Sequence, residues 1–193
     1  MLNKIFTVII LLCFSFQAYA DFKSGGEAYK QGDYETAAKE FLPLAKNGDH
    51  RAMYALGSMY SAGHGVPQDY TEAFKWFQRA AKYGRPDAEY KIGLLYLNGL
   101  GTEKDDRKAI NWFGRSAKKG FANAQFRLGE MYAAGLAVQQ NDIKAYAWLT
   151  IALEQGITDA KITLDRVSAN LSPEQLKEAQ DLARSYRDQY VKR

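Results

Sequence analysis

Two histidines, a pair of adjacent carboxylates, one cysteine and three tryptophans are the side chains of this sequence with the most chemistry to offer. His50 and His64 could act as general bases or metal ligands, but a whole helix separates them, without the i, i+4 spacing that puts two ligands on one face. His64 lies between Gly63 and Gly65, and the equivalent positions further along are Leu100 and Leu136, so it reads as a variable loop residue. His50 follows Asp49 and reads as a solvated turn residue. Asp105 and Asp106 resemble a carboxylate pair, yet adjacent helical residues point about 100° apart, and helix capping accounts for Asp105. Nothing here forms a nucleophile–base or metal-holding arrangement, so the expectation is no enzyme activity, no metal and no cofactor.

The tryptophans could suggest a ligand cage. However, Trp76, Trp112 and Trp148 stand at a fixed interval of 36 residues, on the apolar stripe of successive helices, and Tyr60, Tyr96 and Tyr132 follow the same step. Both series read as packing. That interval also links Ala52, Ala88, Ala124 and Ala160; Gly57, Gly93 and Gly129; Gly63, Gly99 and Gly135; Ala73, Ala109 and Ala145; and Gly84, Gly120 and Gly156. A period of this length is the mark of a stacked-repeat architecture.

Each unit must therefore be a helical hairpin. Ala52, Leu56 and Tyr60 fall at i, i+4 and i+8, and Ala73, Trp76, Phe77 and Ala80 at i, i+3, i+4 and i+7. The second helix opens at Asp69, with Glu72 at capping-box spacing; Asp105 and Asn141 hold the same place. Gly84, Gly120 and Gly156 close that helix. Gly57, Gly93 and Gly129 lie in mid-helix, where glycine costs about 1 kcal/mol against alanine, so their repetition implies close approach of helices. The ends differ from the middle. A shorter hairpin turns at Gly32-Asp33, Leu164-Asp165 replaces the Leu-Gly pair, and Ser172-Pro173-Glu174-Gln175 opens a last helix running to about Tyr190 that should cover the final hairpin.

At the start, Lys4 precedes an apolar run from Ile5 to Phe16 and a small-x-small exit at Ala18-Tyr19-Ala20, the pattern of a secretory signal peptide cleaved after Ala20. The run is too short to span a bilayer as a helix. Cys13 lies within it, so the mature chain carries no thiol and forms no disulfide. Of 26 basic side chains only Lys4 is removed, leaving 25 against 22 acidic ones, spread along the chain. No basic stripe points to nucleic acid. After signal cleavage no stable membrane insertion is expected.

The units resemble Sel-one-like repeats, the 36-residue relatives of tetratricopeptide repeats. The resemblance rests on Ala52-x-x-x-Leu56-Gly57-x-x-Tyr60-x-x-Gly63-x-Gly65-Val66-x-x-Asp69 followed by Ala73-x-x-Trp76-Phe77-x-x-Ala80-Ala81-x-x-Gly84, with two further copies. Ala137 in place of the second loop glycine, Asn141 for the cap aspartate and Leu153 for the second alanine depart from it. The resemblance implies an all-α solenoid of stacked antiparallel hairpins: residues 1–20 signal peptide, 21–51 an atypical first hairpin, 52–87, 88–123 and 124–159 full repeats, and 160–193 capping helices. It also implies an adaptor role. Some secreted members carry a cysteine pair per repeat, and a penicillin-binding or lactamase activity goes with that subgroup; this chain has no such pairs.

One further aromatic series recurs, Tyr54, Tyr90 and Phe126, about 160° around the helix from the centre of the Ala52, Leu56 and Tyr60 stripe. These rings should face away from the seam of their own hairpin. In tetratricopeptide-like solenoids the first helices line the concave surface, so the rings could form a ladder in a groove flanked by Arg51, Ser58, Asp87, Lys91, Leu94, Asn123, Arg127 and Glu130. Packing between successive first helices is the competing explanation. The expectation is thus a periplasmic or secreted adaptor binding a partner peptide or helix. An enzyme acting on cell-wall material or lactams, or a structural subunit of an envelope assembly, are the alternatives.

Overall fold

The computed structural model describes residues 22–191; the expected signal peptide, with Cys13, lies outside them. Every regular element among the described residues is helical: α1 (22–30), α2 (Tyr34–Lys46), α3 (His50–Ala62), α4 (Tyr70–Ala81), α5 (Pro86–Asn98), α6 (Asp106–Lys118), α7 (Ala122–Ala134), α8 (Asp142–Glu154), α9 (Ala160–Ala169) and α10 (Pro173–Tyr190). They fall into two compact units, α1–α4 and α5–α10, dividing between Tyr83 and Gly84. Within each unit, antiparallel hairpins stack side by side.

The start signals act as the residues imply. Asp69 accepts from the Thr71 and Glu72 amides, Asp105 from Lys108 and Asn141 from Lys144. Glu72 does not complete a capping box but pairs with Lys75 at 2.6 Å. The full reciprocal box is at Ser172 and Gln175, ahead of Pro173. Gly120 and Gly156 follow directly on the C-caps of α6 and α8 with φ of +88° and +92°, as expected of closing glycines.

In the first unit, the mid-helix glycine of α3 brings α4 close. A Cβ on Gly57 would lie 2.8 Å from the Phe77 ring; in the second unit one on Gly93 would lie 2.6 Å from Phe113 and one on Gly129 2.7 Å from Leu149. Each glycine is thus the floor on which a large apolar side chain of the second helix rests. The Ala52, Leu56 and Tyr60 stripe serves another contact. Leu56 and Tyr60 border a 250 Å³ cleft with Ala38 and Leu42 of α2, so this stripe meets the preceding hairpin.

Loop geometry ties the first unit together. Gly65 has φ +69°, and a Cβ there would fall 2.1 Å from the Tyr34 carbonyl oxygen, because the α3–α4 loop presses on the start of α2. The equivalent Ala137 keeps the same left-handed conformation at φ 63°, the one non-glycine residue to do so among the described residues. The loop is therefore conserved in shape across the substitution, with strain of about 1 kcal/mol left in it.

A buried site 30 residues in span recurs with different chemistry. In the repeat begun by α5, Glu89 is fully buried on the Lys119 ammonium at 3.0 Å and the Arg115 guanidinium at 2.8 Å. One repeat later Gln125 occupies the same position, its amide donating to the Ala117 carbonyl and its oxygen accepting from Gln155 at 2.5 Å. An ion pair has been exchanged for an amide pair in one packing geometry.

At the C-terminal end α10 covers the last hairpin, but it packs on α8 and not on α9. Position 165 differs at the same place: where the earlier first helices carry the glycine on which a second helix docks, α9 carries Asp165, with its carboxylate paired to Lys161 at 2.8 Å. Ile162, the counterpart of Tyr54, Tyr90 and Phe126, is in consequence 80% exposed.

These contacts set the expectations for urea denaturation. Gly93→Ala should cost about 2 kcal/mol by forcing the Phe113 ring aside, whereas Ala137→Gly should stabilise by about 1 kcal/mol through relief of the left-handed strain. Glu89→Ala should cost about 2 kcal/mol, less than a fully enclosed pair because Arg115 and Lys119 keep partial access to water. The double change Glu89→Gln with Lys119→Gln, which copies the next repeat, should recover most of it. Equal losses for the single and double variants would show that the two sites are not interchangeable.

Candidate functional site

The first helices carry the residues singled out as a recognition face, and each unit holds part of the set. In the first unit Asp49 caps α3 and also binds the Arg51 guanidinium at 2.6 Å. Burial opposes ionisation of Asp49, but the bonds from the Arg51 side chain and from the Arg51 and Ala52 amides outweigh it and hold the carboxyl below its usual range. The Arg51 guanidinium lies 4.4 Å above the Phe22 ring. Ser58 donates to the Tyr54 carbonyl at 3.0 Å. Arg51 and Ser58 are thus engaged within their own unit.

Tyr54, Tyr90 and Phe126 are half-buried. They do not face away from their own hairpin as the helical angle suggested. Tyr54 sits with its ring centroid 5.6 Å from Phe77, Tyr90 lies 5.7 Å from Phe113, and Phe126 packs on the cluster containing Leu149. The reason is the mid-helix glycine. Tyr54 and Gly57 are three residues apart and share a face, so the side chain resting on the glycine also reaches the tyrosine. The seam lies along Gly57, and the Ala52 stripe belongs to the preceding hairpin.

In the second unit the structure gathers several of the expected residues into one patch. The Tyr90 ring also meets Phe121, at 5.3 Å, just ahead of α7. Arg127 pairs with Glu130 at 2.9 Å, and the Tyr90 side chain is its other electrostatic partner. Burial works against the Arg127 charge, but those two partners outweigh it and hold the guanidinium above its ordinary value. Leu94 packs at the edge of the same cluster, Lys91 is half-buried, and Asn123 is exposed on the first turn of α7. Asp87 is drawn to Arg85, at 2.5 Å. The Tyr90 ring thus packs on both Phe113 and Phe121, which joins α5 to the start of α7.

Phe121 was not singled out in sequence because it has no aromatic counterpart one repeat either side: Arg85 and Ile157 stand there. His64 is more than a variable loop residue. Its ring stacks on Tyr34 at 4.3 Å and 12°, and its Nδ1 hydrogen-bonds the Tyr29 hydroxyl at 3.1 Å, pinning the loop to the first hairpin. His50 opens α3, with its ring 5.6 Å from Tyr83. Neither is near the other. No group of three or more metal-ligating side chains gathers among the described residues. No described helix is long and apolar enough to cross a membrane.

Comparison with solved structures finds the same architecture. A Sel1 repeat protein from Oxalobacter formigenes superposes with a TM-score of 0.70 at 28% identity, over 74% of this chain and 59% of the other. The protective antigen c5321 of uropathogenic Escherichia coli, which displays an SLR fold, gives 0.65 at 24% identity over 90% of this chain and 46% of its own. Cysteine rich protein B of Helicobacter pylori gives 0.53 at 20% identity over 66% and 92%. The chain therefore spans about half the length of the first two. No curated protein matches it in sequence. Three Sel1 repeats are matched directly, at residues 50–84, 86–121 and 122–157, over more than half of the chain. The 36-residue hairpins, the glycine seams and this match agree, and the chain belongs to the Sel1 repeat family.

Proposed function

We propose that this protein is a non-catalytic interaction module of the bacterial envelope, which holds a segment of a partner protein against its first helices. Sel1 repeats generally mediate protein–protein interactions and are generally not enzymes. The observation that carries the reading is the patch on α5 and α7: half-exposed Tyr90 with Phe121 beside it, Leu94 at the edge of the same cluster and the Arg127–Glu130 pair, with Lys91 and Asn123 close by in sequence. An aromatic anchor with arginine beside it and a mixed-charge rim is the composition of a binding hot spot. Tyr54 with Arg51 and Ser58 offers a similar edge in the first unit, and Phe126 with Asp87 completes the proposed set. The envelope assignment rests on the basic, apolar and small-residue pattern of Met1 to Ala20.

The test is in-cell photo-crosslinking from a reactive side chain placed at Lys91 or Asn123, with Lys161 as a control position. One shared partner is expected from Lys91 and Asn123 and none from Lys161. Tyr90→Leu, which keeps an apolar contact with Phe113 but withdraws the hydroxyl from Arg127, should lower that yield about tenfold with the melting temperature unchanged within a few degrees. Equal crosslinking from all three positions would overturn the reading. The envelope location predicts a mature chain beginning at Asp21 outside the cytoplasm; a cytoplasmic chain still beginning at Met1 would refute it.

A further inference from the structure

A second surface arises from the way α10 closes the second unit, and it is independent of the first-helix patch. Helix α10 lies along α8, and its end reaches the α6–α7 turn, where the Tyr190 carbonyl oxygen is 2.6 Å from the place a Cβ on Gly120 would take. Arg187 anchors it to α8 by donating to Glu154 at 2.7 Å. Between α6, α8 and α10 this leaves a cleft of about 570 Å³.

Its floor is aromatic. Tyr186 and Tyr190 form it with Tyr132, and they rest on the buried Trp148 indole, whose ring lies 4.3 Å from that of Tyr186 and 5.6 Å from that of Tyr190. Ile110 and Val138 add aliphatic edges. The charged side chains lining the cleft are Arg115, Lys118 and Lys144, and no carboxylate is among the lining residues. Arg115 is partly committed to Glu89, at 2.8 Å. Lys144 stands 5.4 Å over the Tyr132 ring, and neither Lys118 nor Lys144 forms an ion pair among the described residues. Burial, and then the nearness of Tyr132 and Tyr190, pushes the Tyr186 hydroxyl above its ordinary range, so it stays protonated as a donor.

We propose that this cleft receives an acidic segment of another protein, in which an aromatic or long aliphatic side chain lies against Tyr132, Tyr186 and Tyr190, which are backed by the buried Trp148, and flanking carboxylates meet Lys118, Lys144 and the tyrosine hydroxyls. An apolar floor without cations would accept any greasy side chain, and cations without a floor would attract any anion; together they select an acidic segment with an apolar anchor. An open concave cleft lined this way also differs from the flat basic face that suits an anionic membrane.

The test uses the mature chain and a library of short random peptides. The selected peptides should be enriched in Asp and Glu on both sides of an aromatic or leucine residue, and replacing their carboxylates by amides should weaken binding at least about tenfold. Two variants separate binding from folding. Gly114 lines the cleft with open space beside it, so Gly114→Phe fills the cleft, and Lys118→Glu with Lys144→Glu reverses its charge at exposed positions. Both should keep the wild-type melting temperature and lose at least about tenfold in affinity. Enrichment of neutral or basic peptides, no enrichment at all, or affinity unchanged in both variants would overturn the proposal. So would phosphatidylglycerol vesicles that bind more tightly than the selected peptides and depend on the same residues, or self-association of the chain abolished by Gly114→Phe.

Discussion

The structure depends on one contact made three times: a large apolar side chain of each second helix resting on a glycine of the first. Phe77 on Gly57, Phe113 on Gly93 and Leu149 on Gly129 bring the helices of a hairpin closer than any Cβ would allow. That approach costs helix propensity at each glycine and recovers it through contact between the ring and the opposite backbone. It also decides what neighbouring residues can do. Tyr54 and Tyr90 are half-covered because the ring on the glycine extends to them, and Ile162 is exposed because Asp165 leaves no floor for a second helix.

Around this fixed contact the repeats vary freely in chemistry. The buried position held by Glu89 with Lys119 in one repeat is held by Gln125 with Gln155 in the next. Charge and amide pairing are two ways to hold a polar side chain at this position, and the charged one leaves Glu89 Oε2 without a hydrogen-bond partner. Ala137 shows the same tolerance in the backbone: the loop keeps its left-handed residue even where the side chain opposes it, since the shape of the turn is held by hydrogen bonds such as that from the Asn141 amide to the Tyr132 carbonyl.

Recognition has to use what such packing leaves over. Tryptophans that repeat with the period serve the scaffold: Trp76 is buried beneath Arg79, and Trp112 is half-covered by Arg115. The surfaces proposed for recognition combine half-buried rings that keep the period, such as Tyr90, with residues at which it breaks, Phe121 and the tyrosines of α10. Family membership explains the scaffold and the general role of such proteins; the particular surfaces depend on which side chains surround the repeated rings.

The sequence by itself determined the period, the hairpins, the capping residues and the close approach at the mid-helix glycines, because each of these is a local or strictly periodic requirement that leaves its mark at fixed spacing. The last helix was legible for the same reason, down to its Ser172–Gln175 box. The face of the first helix that meets its own partner was not, because an angle around one helix does not say which neighbour lies on which side. Only the tertiary structure decided that Tyr54, Tyr90 and Phe126 border the seam, that His64 stacks on a ring thirty residues earlier, and that α10 bypasses α9 to join Trp148. Those outcomes turn on contacts between distant segments, where the presence or absence of a single Cβ selects the neighbour.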